Sequence, residues 1–291
     1  MNSPMRTTAA CTLEPRRIAD IAVQALHDEI DLTPKPGLVD RRGPGAHTDM
    51  TREMLHTSAD SLRAAFFQCA SVAAESEPGT TLRARIGLIG RTGEQTMLTA
   101  TGGVNTHRGA LWAVGLLCAA AGAGAATVEQ AAAFAGGLAR IPDPAAPPLP
   151  AAVMSHGARA RRRYGVAGAP GEAQAGFPHV TGLALPALRA GLAGSDPTAA
   201  RLDALLTLIA HLDDTCLLHR GGTGGLVAVQ SAARATVVAG GMRTPEGRRC
   251  FSVLDRLCAD RRLSPGGAGD LLAATLFLDS LDLETGHRCK P

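Results

Sequence analysis

The amino-acid sequence predicts an all-α fold, and three observations predict it. Alanine and leucine dominate an apolar set that makes up 45% of the 291 residues, while aromatic residues reach only 3%, a mixture that favours helices over sheets. Apolar residues recur at helical spacing from one end of the chain to the other. No alternating strand pattern of useful length interrupts them. The expectation is a single multi-helix globular domain over residues 1–291, with glycine-rich polar loops at helix N-termini forming the site. Residues 1–14 and 284–291 are expected to be flexible.

In chain order, Ile18, Ile21, Ala25 and Leu26 form one face of a first helix, with Pro15 near its start. The stretch TPKPG, Thr33 to Gly37, stops it, because each proline forces extended geometry on the residue before it. A second helix is expected from about Asp49 to Ala74, with Met54, Leu55, Leu62, Phe66, Cys69 and Ala73 facing inward. Another covers roughly Leu82 to Leu98. The alanine-rich run from Ala110 to Ala126 falls short of a membrane span of ~20 residues and reads as a core helix over Ala110 to Ala121. Thr127 with Gln130 makes a capping-box start for the next helix.

Pro142 to Pro150, PDPAAPPLP, reads as a stiff surface connection, since helices of similar composition resume on both sides. Further on, Asp196-Pro197, Thr244-Pro245 and Ser264-Pro265 each pair an N-cap residue with proline at the first helical position.

Composition also excludes some functions. Twenty-nine basic residues against 26 acids leave a net charge of +3, too small to argue for nucleic acid but compatible with an anionic small molecule. Seven scattered cysteines without C-x-x-C spacing read as reduced thiols in a cytoplasmic protein. The N-terminus lacks the apolar core of a secretory signal, and neither export nor membrane attachment is expected. There is no Walker loop, no G-x-S-x-G elbow, no H-E-x-x-H and no zinc spacing.

Four polar segments combine glycine, acid and base. TPKPGLVDRRGPGAHTDM, residues 33–50, offers Lys35, Arg41 and Arg42 to phosphates, and Asp40, His47 and Asp49 to a metal or a proton. TGGVNTHRG, residues 101–109, carries Gly102, Gly103, Asn105, Thr106, His107 and Arg108 immediately before the buried helix. Glycines allow close backbone approach, and a helix N-terminus favours an anion. A glycine-rich turn ahead of a core helix is the plainer account of this segment. HLDDTCLLHRGGTGG, residues 211–225, contributes Asp213, Asp214, His219, Arg220, Gly221 and Gly222. SPGGAGDLLAATLFLD, residues 264–279, places Asp270 in the first turns of an apolar helix, where the helix dipole alone explains an acid. The basic run 156–165, HGARARRRYG, reads as a solvated face.

In this order, PKPGLVD with GAH-x-DM, TGGVNTHRG, RRRYG with GEA-x-x-GFP, DT-x-LLHRGG and SPGG-x-x-DLLAATLFLD resemble the triphosphoribosyl-dephospho-CoA synthase family. The likeness is strongest to the branch that serves malonate decarboxylase, and it spans roughly residues 18–283. Two departures stand out: Pro170 lies where GARGEA would place an arginine, and Cys216 lies where citrate-lyase relatives carry asparagine.

The resemblance implies that ATP and 3′-dephospho-CoA give 2′-(5″-triphosphoribosyl)-3′-dephospho-CoA and free adenine. That product is the prosthetic-group precursor for the acyl-carrier subunit of malonate decarboxylase. It further implies ATP as substrate, Mg²⁺ as metal, and the acyl-carrier protein or its holo-transferase as a partner. Such chemistry breaks an N-glycosidic bond and keeps the triphosphate. It asks for a carboxylate near an oxocarbenium-like centre, a base for the attacking hydroxyl, and cations for phosphate.

On this basis Lys35, Arg108 and Arg220 are expected at the triphosphate, with Gly102, Gly103, Gly221 and Gly222 as backbone donors and Asn105 and Thr106 as contacts. Asp214, Asp49, His47 and His107 are the candidate catalytic residues. Asp40, Asp49, Asp214 and Asp270 are the candidate metal ligands. An ADP-ribosyl or nucleoside hydrolase and a non-catalytic carrier-protein chaperone are the rival readings.

Overall fold

The structure is a computed structural model that describes residues 13–146, 154–194 and 196–288. Among them it forms helices α1 (Pro15–Asp31), α2 (Arg52–Ser61), α3 (Arg63–Ala74), α4 (Thr80–Ala100), α5 (Arg108–Gly122), α6 (Val128–Arg140), α7 (His156–Tyr164), α8 (Gly168–Gln174), α9 (Leu185–Leu192), α10 (Pro197–His211), α11 (Thr215–Val238), α12 (Pro245–Asp260) and α13 (Gly266–Arg288). No strand is present among the described residues; Asp40 and Gly43 form one isolated bridge. None of these helices is long and apolar enough to cross a membrane.

At the centre lies α5, buried from Ala110 to Ala121 almost without interruption apart from Trp112. It packs against α1, α3, α6 and α13. Small side chains allow that approach: a Cβ on Gly122 would run into the Ala70 carbonyl of α3, and one on Gly93 of α4 into Ala65. Around this centre α10 packs on α9, α11 and α13, burying Leu202, Leu205, Leu206, Leu208 and Ile209. Each fully buried leucine or isoleucine contributes about 1.5–3 kcal/mol relative to exposure.

The expected caps at Thr127, Asp196 and Thr244 are in place, their side chains accepting from the amides of Gln130, Ala199 and Gly247. Two expectations need correction. The single helix from Asp49 to Ala74 is two, α2 and α3. The Ser58 carbonyl accepts the Ser61 hydroxyl, and the Leu62 amide turns to Ala59, a one-residue break that apolar periodicity does not register. Ser264 does not open α13, which starts at Gly266; its hydroxyl meets His47 instead. Residues 284–288 belong to α13, and the Glu284 carboxylate pairs with Arg17. Of the flexible ends and the proline-rich connection, residues 1–12, 147–153 and 289–291 lie outside the described residues.

Candidate active site

The N-termini of α5, α7, α11 and α13 converge on one cavity of about 1010 Å³, closed on another side by the loop between α1 and α2. All four polar segments contribute to its lining. Lys35, His47 and Asp49 come from the first. Gly103, Asn105, Thr106, His107 and Arg108 come from the second. Asp213, Asp214, His219 and Arg220 belong to the third, and Ser264 and Asp270 to the fourth. Asp40, Gly102, Gly221 and Gly222 do not line it.

Asp214 is the N-cap of α11. One carboxylate oxygen accepts from the amides of Cys216 (2.7 Å) and Leu217 (3.3 Å), and the other from Ala268 in α13 (3.0 Å). Burial pushes its pKa up, opposed by these amide donors. Because both oxygens are taken, its immediate work is to hold two helix N-termini together. Asp270, one turn into α13, reaches the N-terminus of α5, where the Ala110 amide donates to it and Gly109 leaves room for its carboxylate. Burial, then the neighbouring Asp214 and Glu29 carboxylates, push its pKa well above the usual range. Asp270 is therefore a carboxyl that holds a proton to higher pH than an ordinary aspartate.

Lys35 is almost fully buried at 1% exposure. Its ammonium donates to the carboxylate of Glu29 (2.7 Å) and to the Glu29 main-chain carbonyl (2.6 Å). Its backbone amide donates to Asp40 Oδ2 (2.8 Å). Asp40 also accepts from the Arg42 amide and guanidinium, so both of its oxygens are used in folding the loop. Arg42 continues from Asp40 to Asp255 of α12.

Arg220 donates to the Ala46 carbonyl (3.1 Å) and to His47 Nδ1 (3.1 Å). With Nδ1 accepting, the His47 proton sits on Nε2, facing the Ser264 hydroxyl at 2.9 Å. Burial, then Arg220, lower the His47 pKa, and both ring nitrogens are occupied. His107 precedes α5 with Nδ1 2.7 Å from Ser58 Oγ, which is also 2.6 Å from Thr106 Oγ1. Burial, reinforced by the Lys35 charge, lowers its pKa to about 3, so it is a neutral imidazole at any working pH. Asn105 accepts from the Arg108 amide (3.3 Å), and the Arg108 guanidinium pairs with Glu94.

Three groups were missed from sequence. Glu29 falls on the buried face of α1, and a carboxylate in an apolar stripe was the available signal. Ser58 lies on the equivalent face of α2. Arg159 and Arg161 of α7 line the cavity, although their run reads as a solvated face. Next to them the rings of His156 and His219 stand 3.9 Å apart, centroid to centroid. Among the described residues no three His, Cys, Asp or Glu side chains gather as a metal site.

A family model described as CitG, ATP:dephospho-CoA triphosphoribosyl transferase, matches residues 15–289. The chain is 54% identical over 271 residues to a protein of Stutzerimonas stutzeri (strain A1501), covering 91% of each. It is 51% identical over 273 residues to one of Azotobacter vinelandii, again 91% of each. With one of Pseudomonas syringae pv. syringae it shares 50% identity over 274 residues, 93% of each. All three bear the name "Probable 2-(5''-triphosphoribosyl)-3'-dephosphocoenzyme-A synthase". No solved structure gives a significant match.

Proposed function

This chain belongs to the ATP:dephospho-CoA triphosphoribosyl transferase family, and from that premise we propose that it joins the triphosphoribosyl group of ATP to the ribose 2′-hydroxyl of 3′-dephospho-CoA. The observation that carries the reading is one cavity of about 1010 Å³ with buried acids on one side and arginines on another. An oxocarbenium-like centre needs the first and a retained triphosphate the second.

In the proposed step the 2′-hydroxyl oxygen bonds to the ribose anomeric carbon as the bond to adenine breaks. Adenine leaves with that electron pair and takes up a proton, and the hydroxyl proton goes to a carboxylate. We place Asp270, in its ionised form, ahead of Asp214 as acceptor, because Asp214 spends both oxygens on amides while the raised pKa of Asp270 makes its carboxylate the stronger base. Glu29 and Asp214 sustain that shift electrostatically. His107 and His47 position the loops as neutral imidazoles, and Asn105 and Thr106 order the α5 entrance.

Lys35 and Arg108 face the cavity already paired, so they set its shape and potential rather than serve as free cations. A Mg²⁺ ion fits this donor set only alongside phosphate oxygens, with Asp49, exposed and 3.7 Å from His47 Nδ1, as the accessible carboxylate. When bound it would shield the phosphate charge. We further propose that the product serves the acyl-carrier subunit of a malonate decarboxylase, and that the reaction is cytoplasmic, in keeping with free cysteines.

Incubating the protein with ATP, Mg²⁺ and dephospho-CoA and separating adenine by chromatography tests the reaction. Adenine that depends on both organic substrates is expected. Adenine from ATP alone would make it a hydrolase, and binding without adenine a chaperone.

A further inference from the structure

The cavity has one wall whose positive charge is not neutralised. α7 presents Arg159 and Arg161 to it, and α11 presents Arg220. Among the described residues Arg159 donates to the Met154 carbonyl, and Arg220 to the carbonyls of Ala46 and Arg262 and to His47; neither has a carboxylate partner, nor does Arg161. Residues 1–12, 147–153, 195 and 289–291 contain no aspartate or glutamate that would supply one.

Other anion-attracting features of the cavity are already answered by the chain's own carboxylates. Glu29 takes Lys35, and Glu94 takes Arg108. Asp270 covers the N-terminus of α5, and Asp214 covers those of α11 and α13. The glycine-rich segment therefore opens onto carboxylates rather than onto free amides.

We infer that α7 is the polyphosphate wall of the site: Arg159 and Arg161, completed by Arg220, take the triphosphate chain of the nucleotide. Guanidinium forks match phosphate oxygens two at a time. Three unpaired guanidiniums also suit the charge of a triphosphate better than that of the pyrophosphate diester in dephospho-CoA. His156 and His219 report the same field. Burial lowers both pKa values, and Arg159 and Arg220 lower them further, as expected where cations lack counter-ions. The inference rests on the proposed reaction for the identity of the nucleotide, but the site itself can be probed without turnover.

The test is calorimetric titration of inorganic tripolyphosphate into the wild type, R159Q/R161Q and, as a same-helix control, R162Q. Adenine release is then measured with ATP and dephospho-CoA varied in turn. The double variant should bind tripolyphosphate and show a KM for ATP at least about tenfold weaker, with kcat and the KM for dephospho-CoA within about twofold. R162Q should behave as wild type. In the wild type, tripolyphosphate should raise the His156 and His219 titrations seen by NMR.

Unchanged tripolyphosphate binding in the double variant, or a weakening equal to that of R162Q, would overturn the inference. So would a defect confined to dephospho-CoA. Arginine-dependent tripolyphosphate binding in a protein that releases no adenine would leave the wall standing and remove the reaction.

Discussion

Asp214 Oδ2 accepts from the amide of Ala268 at 3.0 Å while Oδ1 caps its own helix, so one carboxylate joins the N-termini of α11 and α13. Replacing it by alanine removes a cap from each helix. The cost should be about 1 kcal/mol per cap, read as a fall in urea midpoint at unchanged slope. Adenine release should fall with it because Asp270 is carried by α13. Asp214→Asn, which keeps one acceptor oxygen, should recover part of the stability.

Asp270 should separate stability from activity. Its folded pKa is raised by burial and by Asp214 and Glu29, so the folded state binds this proton more tightly than the unfolded chain does. The resulting stability is present below the unfolded pKa and is lost as pH rises through the folded one. Asp270→Asn imitates the protonated form. Its melting temperature should meet or exceed that of the wild type, by a margin that widens from pH 5 to pH 8, while adenine release drops at least about a hundredfold. Near-normal turnover in this variant would take Asp270 out of the proton path.

The Lys35–Glu29 pair is buried at both ends. Removing one partner strands a charge, and Lys35→Met or Glu29→Gln should each cost about 3–5 kcal/mol in chemical denaturation. The double substitution should cost less than the sum of the singles, since it leaves no buried charge unpaired.

Gly109→Ala places a methyl group against the Asp270 carboxylate. Alanine is the better helix former by about 1 kcal/mol, so a stabilised protein would result if the contact were unimportant. The collision should instead lower the melting temperature and adenine release together.

Histidine 107 gives a prediction of opposite sign to Asp270. Its pKa is lowered to about 3 by burial and by Lys35. Wild-type stability should therefore fall as pH drops from about 6.5 towards 3. His107→Asn should flatten that slope in a pH series of thermal melts. The same neutral imidazole should leave no inflection of its own in the rate profile between pH 5 and pH 9.

The sequence by itself determined the helical class, several helix ends, and the four segments that meet in the cavity. Caps such as Thr127, Asp196 and Thr244 act over three residues, and apolar stripes act over one helix, so both are written locally. Tertiary structure decided which polar groups remain available. Lys35, Asp40 and Arg108 looked like open ligands in sequence, yet each is committed to a partner, and Glu94 and Glu29 are fourteen and six residues away from the groups they neutralise. Arg159 and Arg161 looked like a solvated run, yet they face the cavity unpaired. Charge compensation depends on which helices meet, and only the packing of α13 on α5, of α11 on α13 and of α7 on α11 brings these helices to one point.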